Sequence, residues 1–155
     1  MPNWCYNTLK VSGKTTDLKE FERKAKGKKT DLSFANFMPE PDYTKVKVKP
    51  TFPETDKKFG KVRKYVNPKS AWWDWRIQNW GTKWEVEAEI YQRSPKHLRY
   101  CFDSAWSPPS EKWLEIVSKM FPKLSFRLNY EEGGMGFKGY TTAKNGIVKD
   151  TCYKM

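Results

Sequence analysis

The stretch WEVEAEIY, residues 84 to 91, sets Trp84, Val86, Ala88 and Ile90 in strict alternation with Glu85, Glu87 and Glu89. Only a β-strand turns a two-residue period into one apolar and one charged face, so this segment asks for a sheet covered on one side and wet on the other. HLRYCFD repeats the pattern, with Leu98, Tyr100 and Phe102 against Arg99, Cys101 and Asp103. LSFRLNY does so again, with Leu124, Phe126, Leu128 and Tyr130 inward. The Ser94-Pro95 turn predicts that the first two strands form a hairpin in which Arg99 faces the glutamates. A further strand is read at WCYNTLKVSG, with Cys5, Leu9 and Val11 on one face and Trp4, Tyr6 and Lys10 on the other.

A one-sided sheet needs helices on its apolar face. TTDLKEFERKAKG supplies one, with Asp17 as N-cap, Glu20 three residues on, Leu18, Phe21 and Ala25 on one side, and Gly27 as the stop. SPPSEKWLEIVSKMFP supplies a second, capped by Ser107 or Ser110, with Trp113, Ile116, Val117 and Met120 as its stripe and Pro122 at its end. Strand, helix, strand, strand, helix, strand is the ferredoxin-like split βαβ order, an α+β fold with helices on one face of an antiparallel sheet. The tail GMGFKGYTTAKNGIVKD, through Asn145-Gly146, adds a C-terminal edge hairpin. The whole chain, 1–155, fits one domain. Residues 38–69, with five prolines and many lysines, read as a long insertion, and DLSFANF before it as a short strand.

WWDWRIQNWGTKW, residues 72 to 84, packs five tryptophans into thirteen positions. As a helix capped by Ser70 and stopped at Gly81, it puts Trp73, Ile77 and Trp80 on one face as core, and Trp84 inward on the next strand. Trp72 and Trp75 fall on a neighbouring face beside Arg76, where they stack either on a base or partner side chain or within the fold as cation–π pairs.

The net charge is +12, and residues 1 to 69 carry seventeen Lys/Arg against eight Asp/Glu. Such an excess favours nucleic acid or an acidic protein as partner, the bland alternative being a solvated Lys-rich surface. Lys45, Lys47 and Lys49 alternate with Val46 and Val48, so an extended KVKVK projects three ammonium groups to one side. Lys57, Lys58, Lys61, Arg63 and Lys64 follow, and with Trp72, Trp75 and Arg76 they make the candidate partner-binding set.

Catalysis has little to draw on. His97 is the one histidine, and Asp74, Asp103, Glu131 and Glu132 read more readily as ion-pairing groups than as an acid–base pair. Asp103 and Arg76 are expected to serve structure. Gly134, Gly136 and Gly139 spell a formal GxGxxG, but no helix follows and Glu131 and Glu132 stand where a pyrophosphate would approach, so tight turns explain them better. Cys5, Cys101 and Cys152 form no CxxC, which suggests reduced thiols; neither a metal nor another cofactor is expected. No apolar run reaches spanning length and MPNWCYNTLK lacks a signal-peptide centre, so a soluble intracellular protein without a membrane partner is expected. The oligomeric state stays open.

PNWCYNTLKVSG, WWDWRIQNWGTKW with FDSAWSPP, and GGMGFKG together resemble the YubB-type family of small phage- and plasmid-borne proteins, which carry a ferredoxin-like domain and no established activity. The resemblance implies that fold and a mobile-element setting in the cytoplasm of a bacterial host; it supplies no catalytic residue, and residues 38–69 have no counterpart in it. The function expected is that of a small basic non-enzymatic accessory protein that binds nucleic acid largely through phosphate contacts. The alternative is a protein-binding modulator of a host or defence factor with an acidic surface.

Overall fold

β1 (Trp4–Ser12) occupies the middle of a sheet because strands of matching alternation flank it on both sides, β5 (His97–Ala105) and β6 (Ser125–Glu132). β4 (Glu89–Arg93) adds to β5, while β7 (Phe137–Lys144) and β8 (Ile147–Lys154) extend the other edge. The result is a six-stranded antiparallel sheet in the order β4-β5-β1-β6-β7-β8, whose first four strands have the ferredoxin-like arrangement. The computed structural model describes residues 2–52, 55–56, 61–62 and 64–155, with the backbone alone at 55–56 and 61–62. Those two short stretches are β2 (Thr55–Asp56) and β3 (Lys61–Val62), a two-stranded ladder inside the insertion.

Among the described residues there are three α-helices, α1 (Thr15–Ala25), α2 (Ala71–Asn79) and α3 (Glu111–Met120). The inward residues Cys5, Leu9 and Val11 of β1, Leu98, Tyr100 and Phe102 of β5, and Phe126, Leu128 and Tyr130 of β6 are all buried. From α1, Phe21 meets Phe37, Phe121 and Phe126 with ring centroids 5.4, 5.3 and 5.5 Å apart. Phe34 lies 4.7 Å from Trp113 and 6.0 Å from both Trp80 and Phe102. The aromatic residues that composition shows in excess therefore join the helices to one face of the sheet. Among the described residues no helix is long and apolar enough to cross a membrane.

WEVEAEIY does not pair as one strand. Val86 and Ala88 are buried as the alternation requires, but the ladder begins only at Glu89. Before it, the extended chain bonds to the segment after α1: Ala88 N donates to Thr30 Oγ1 at 2.8 Å, and Asp31 N donates to Ala88 O at 2.9 Å. Glu85, expected on the wet face, accepts from Phe34 N at 2.6 Å, Ala35 N at 3.1 Å and Ser33 Oγ at 3.1 Å. DLSFANF is accordingly a single 3₁₀ turn, Phe34–Asn36, capped by a carboxylate from a distant segment. Replacing Glu85 by alanine strands two backbone donors of this turn and should cost about 2–3 kcal/mol, read from the urea midpoint. The exposed Glu87 is the control, and equal midpoints for the two variants would refute the cap.

α2 is rotated from its expected phase. Ala71, Asp74 and Asn79 are its buried residues, Trp75 packs edge-on against Trp80 at 5.6 Å, and Trp73 is only half-buried. The reason is a second covering layer. The insertion lies along the helix, with Thr51 N donating to Asp74 Oδ1 at 2.8 Å, Gln78 Nε2 to Lys49 O at 2.7 Å, and Phe52 beside Trp73 at 6.3 Å. Neither Ser70 nor Asp17 caps its helix through its side chain; α1 begins at Thr15 with Lys14 before it. Of the two serines offered for α3, Ser110 is the cap, accepting from Trp113 N at 3.0 Å. Trp84 is 40% exposed rather than inward, 6.1 Å from Trp4 and under the Lys83 ammonium at 4.3 Å.

Candidate functional site

The helices leave one face of the sheet open, and alternation puts the second set of strand residues there. Register arranges them in rows. Lys10 stands opposite Arg99 on one side and Arg127 on the other, and the row continues through Thr142 to Lys149 and, past Arg99, to Gln92. Like charges facing each other on neighbouring strands repel and lower stability. Among the described residues none of Lys10, Arg99, Arg127 and Lys149 is in an ion pair, and Arg99 Nε is buried without an acceptor. His97 shares this end of the face; desolvation first, then the charges of Arg99 and Lys10, hold its pKa below the ordinary histidine value. Arg127 donates to Asn129 Oδ1 at 3.3 Å and its guanidinium lies 4.2 Å from the centre of the Tyr140 ring.

The next row holds Cys101, Thr8, Asn129, Tyr140 and Thr151, and the one beyond it Asp103, Tyr6, Glu131, Lys138 and Tyr153. Tyr6 is 63% exposed and Tyr153 49%. The face thus grades from cations, through polar and aromatic groups, to a mixed row in which Asp103 and Glu131 flank Tyr6 and Lys138 follows. Asp103, from a tryptophan-rich segment and expected to serve structure, stands exposed on this open side.

The set chosen from the sequence lies elsewhere. Lys45, Lys47, Lys49 and Lys64 are exposed on the insertion, where the ammonium groups of Lys47 and Lys64 lie 5.2 and 5.6 Å from the Tyr65 ring centre. KVKVK is not one straight strand, because Lys45 N and Val46 N both donate to Asp42 O in a turn, which leaves Val46 exposed and Val48 buried. Lys57, Lys58 and Arg63 lie outside the described residues, as does the side chain of Lys61 in β3. Arg76 is taken up by the fold: its guanidinium reaches Glu40 at 2.5 Å and Lys83 O at 3.1 Å, and sits 5.1 Å from the ring centres of both Trp72 and Trp80. Trp72 is held by that contact and Trp75 by Trp80, so the cation–π and packing reading of these tryptophans describes where they sit.

Two reactive-looking features have structural accounts. Burial pushes the Cys5 thiol up to about 12, which keeps it protonated at neutral pH. The buried Glu132 carboxylate accepts from Gly134 N at 2.8 Å and Met135 N at 2.6 Å, so the amides of the formal glycine motif already hold an anion of the chain itself. Gly136, with φ of 75°, makes the turn between β6 and β7, and a Cβ at Gly139 would run into Thr151 O and the Tyr130 hydroxyl. Among the described residues no three His, Cys, Asp or Glu side chains are grouped to hold a metal ion.

Residues 79–155 match the family model described as the ferredoxin-like domain in Api92-like protein, which is what this part of the chain is similar to. The crystal structure of a protein api92 from Yersinia pseudotuberculosis is similar over 100% of this chain and 99% of that chain, with a TM-score of 0.62 and 13% identity. A likeness at that identity speaks for the fold. No curated protein matches the chain significantly.

Proposed function

We propose that this chain is a small, basic, non-enzymatic accessory protein that binds nucleic acid mainly through phosphate contacts, in the cytoplasm of a bacterial cell carrying a phage or other mobile element. The setting rests on the resemblance of its motifs; the activity rests on the row Arg99, Lys10, Arg127. A sheet relieves repulsion between facing cations by pairing them with carboxylates, and the three salt bridges among the described residues spend none on this row. A local rule broken without compensation inside the fold marks a surface that a ligand completes. A polyanion supplies that compensation, and the exposed lysines of the insertion add long-range attraction.

Fluorescence anisotropy with labelled oligonucleotides at low salt tests the reading. Log K should fall with log salt by about 0.7 to 0.9 for each phosphate contacted. Absence of binding at micromolar protein would sink it, and a protein band that survives nuclease in a pull-down would put the acidic-partner alternative in its place. His97 offers a local check. Its pKa is held down in part by Arg99 and Lys10, so a polyanion on that row should raise its titration midpoint in NMR, and binding should strengthen as pH falls toward that midpoint. A midpoint that stays put on saturation would locate the ligand elsewhere.

A further inference from the structure

Resting on that reading, we infer that the ligand is a single nucleic-acid strand laid across the β-strands, with its phosphates on the Lys10 row and its bases on the tyrosine rows beside it. The row of cations runs from β5 to β8 across four interstrand gaps. At about 4.8 Å per gap this is a track of about 19 Å, long enough for several successive phosphates of one strand. The rows beside it begin two residues farther along each strand, about 7 Å away, comparable to the distance from a phosphate to its base.

That neighbouring ground is built for a flat aromatic ligand. Tyr6, Thr8, Asn129, Glu131, Lys138, Tyr140 and Tyr153 line a concavity of about 320 Å³, near the small end of the range for ligand sites, ~300–1,000 Å³. Tyr6 and Tyr153 are exposed there, and the Thr8 hydroxyl and the Asn129 amide carry donors and acceptors for a base edge. Arg127 belongs to both rows, carrying the charge of one while stacked on Tyr140 of the other. Glu131, in the wall of the concavity beside Tyr6, and Asp103 on the other side of Tyr6 repel phosphates, so charge disfavours a strand laid with its phosphates on this side. A duplex keeps its bases stacked inside and presents phosphates only, and could use the first row but none of the second.

The test compares a twelve-nucleotide single strand, as DNA and as RNA, with the matching duplex, for the wild type and for Tyr6→Ala, Tyr140→Ala and Tyr140→Phe. The single strand, in whichever sugar binds better, should bind at least ten times more tightly than duplex. Each alanine change should weaken it by about 5- to 150-fold with the salt slope unchanged, and phenylalanine should restore it. Urea midpoints for the same proteins keep loss of a base contact separate from loss of the fold. Duplex bound as tightly as single strand, with the alanine variants neutral, would overturn this inference and leave the phosphate reading standing. Binding of neither would overturn both.

Discussion

Replacing Trp80 by alanine should lower the stability of the fold by about 3–5 kcal/mol. The indole is 1% exposed and edge-on to Phe34 and Trp75, with centroids 6.0 and 5.6 Å away. Its Nε1 donates to Met38 O at 2.9 Å, and the Arg76 guanidinium lies against its ring at 5.1 Å. The residue also closes the backbone, its carbonyl accepting from Ser110 N at 2.8 Å at the start of α3. Truncation therefore opens a cavity between α2, the 3₁₀ turn and the sheet, leaves a carbonyl at the root of the insertion unpaired, and removes one of the faces that hold Arg76. Trp84→Ala is the matched control, since that ring is 40% exposed and should cost about 1 kcal/mol or less. Equal urea midpoints for the two variants would mean that the core lies elsewhere.

The contrast between these two tryptophans shows how much of the fold could be read from the chain. β1, β5 and β6 were legible because each keeps a two-residue alternation over most of its length, and burial of one face follows from that period. Trp84 obeyed the same period yet came out exposed, because the extended chain before Glu89 takes its hydrogen bonds from Thr30 and Asp31 and lies outside the ladder. Glu85 was misread for the same reason: alternation reports a face, and it cannot report that a distant 3₁₀ turn will present bare N–H groups to that face. In α2 the periodicity failed because the insertion covers the side away from the sheet, and a helix covered on both sides has no single apolar stripe. The candidate site was hidden by a different limit. Lys10 and Arg99 were visible as outward residues of two strands, but only register sets Lys10 between Arg99 and Arg127. Charge density along the chain pointed to the insertion, whereas charge density in space also gathers on the sheet.

Removing the charge at the centre of that row should change stability and binding in opposite directions. Lys10 faces a cation on each neighbouring strand, so Lys10→Gln relieves two repulsive pairs and should raise stability by about 0.5–1 kcal/mol. The same change removes one phosphate contact, and Lys10→Gln with Arg99→Gln and Arg127→Gln removes three. The salt slope of the triple variant should then be shallower by about 2 to 3, and its affinity for an oligonucleotide at 0.1 M salt lower by roughly 100- to 500-fold. A row held for structural reasons would behave otherwise, because charges that stabilise a fold cost stability when they are removed. If the triple variant melts at lower urea than the wild type and binds oligonucleotide with an unchanged slope, the row belongs to the fold and the nucleic-acid reading loses its basis. If it is more stable and no longer binds, the repulsion across β5, β1 and β6 is what the protein sustains to hold a polyanion.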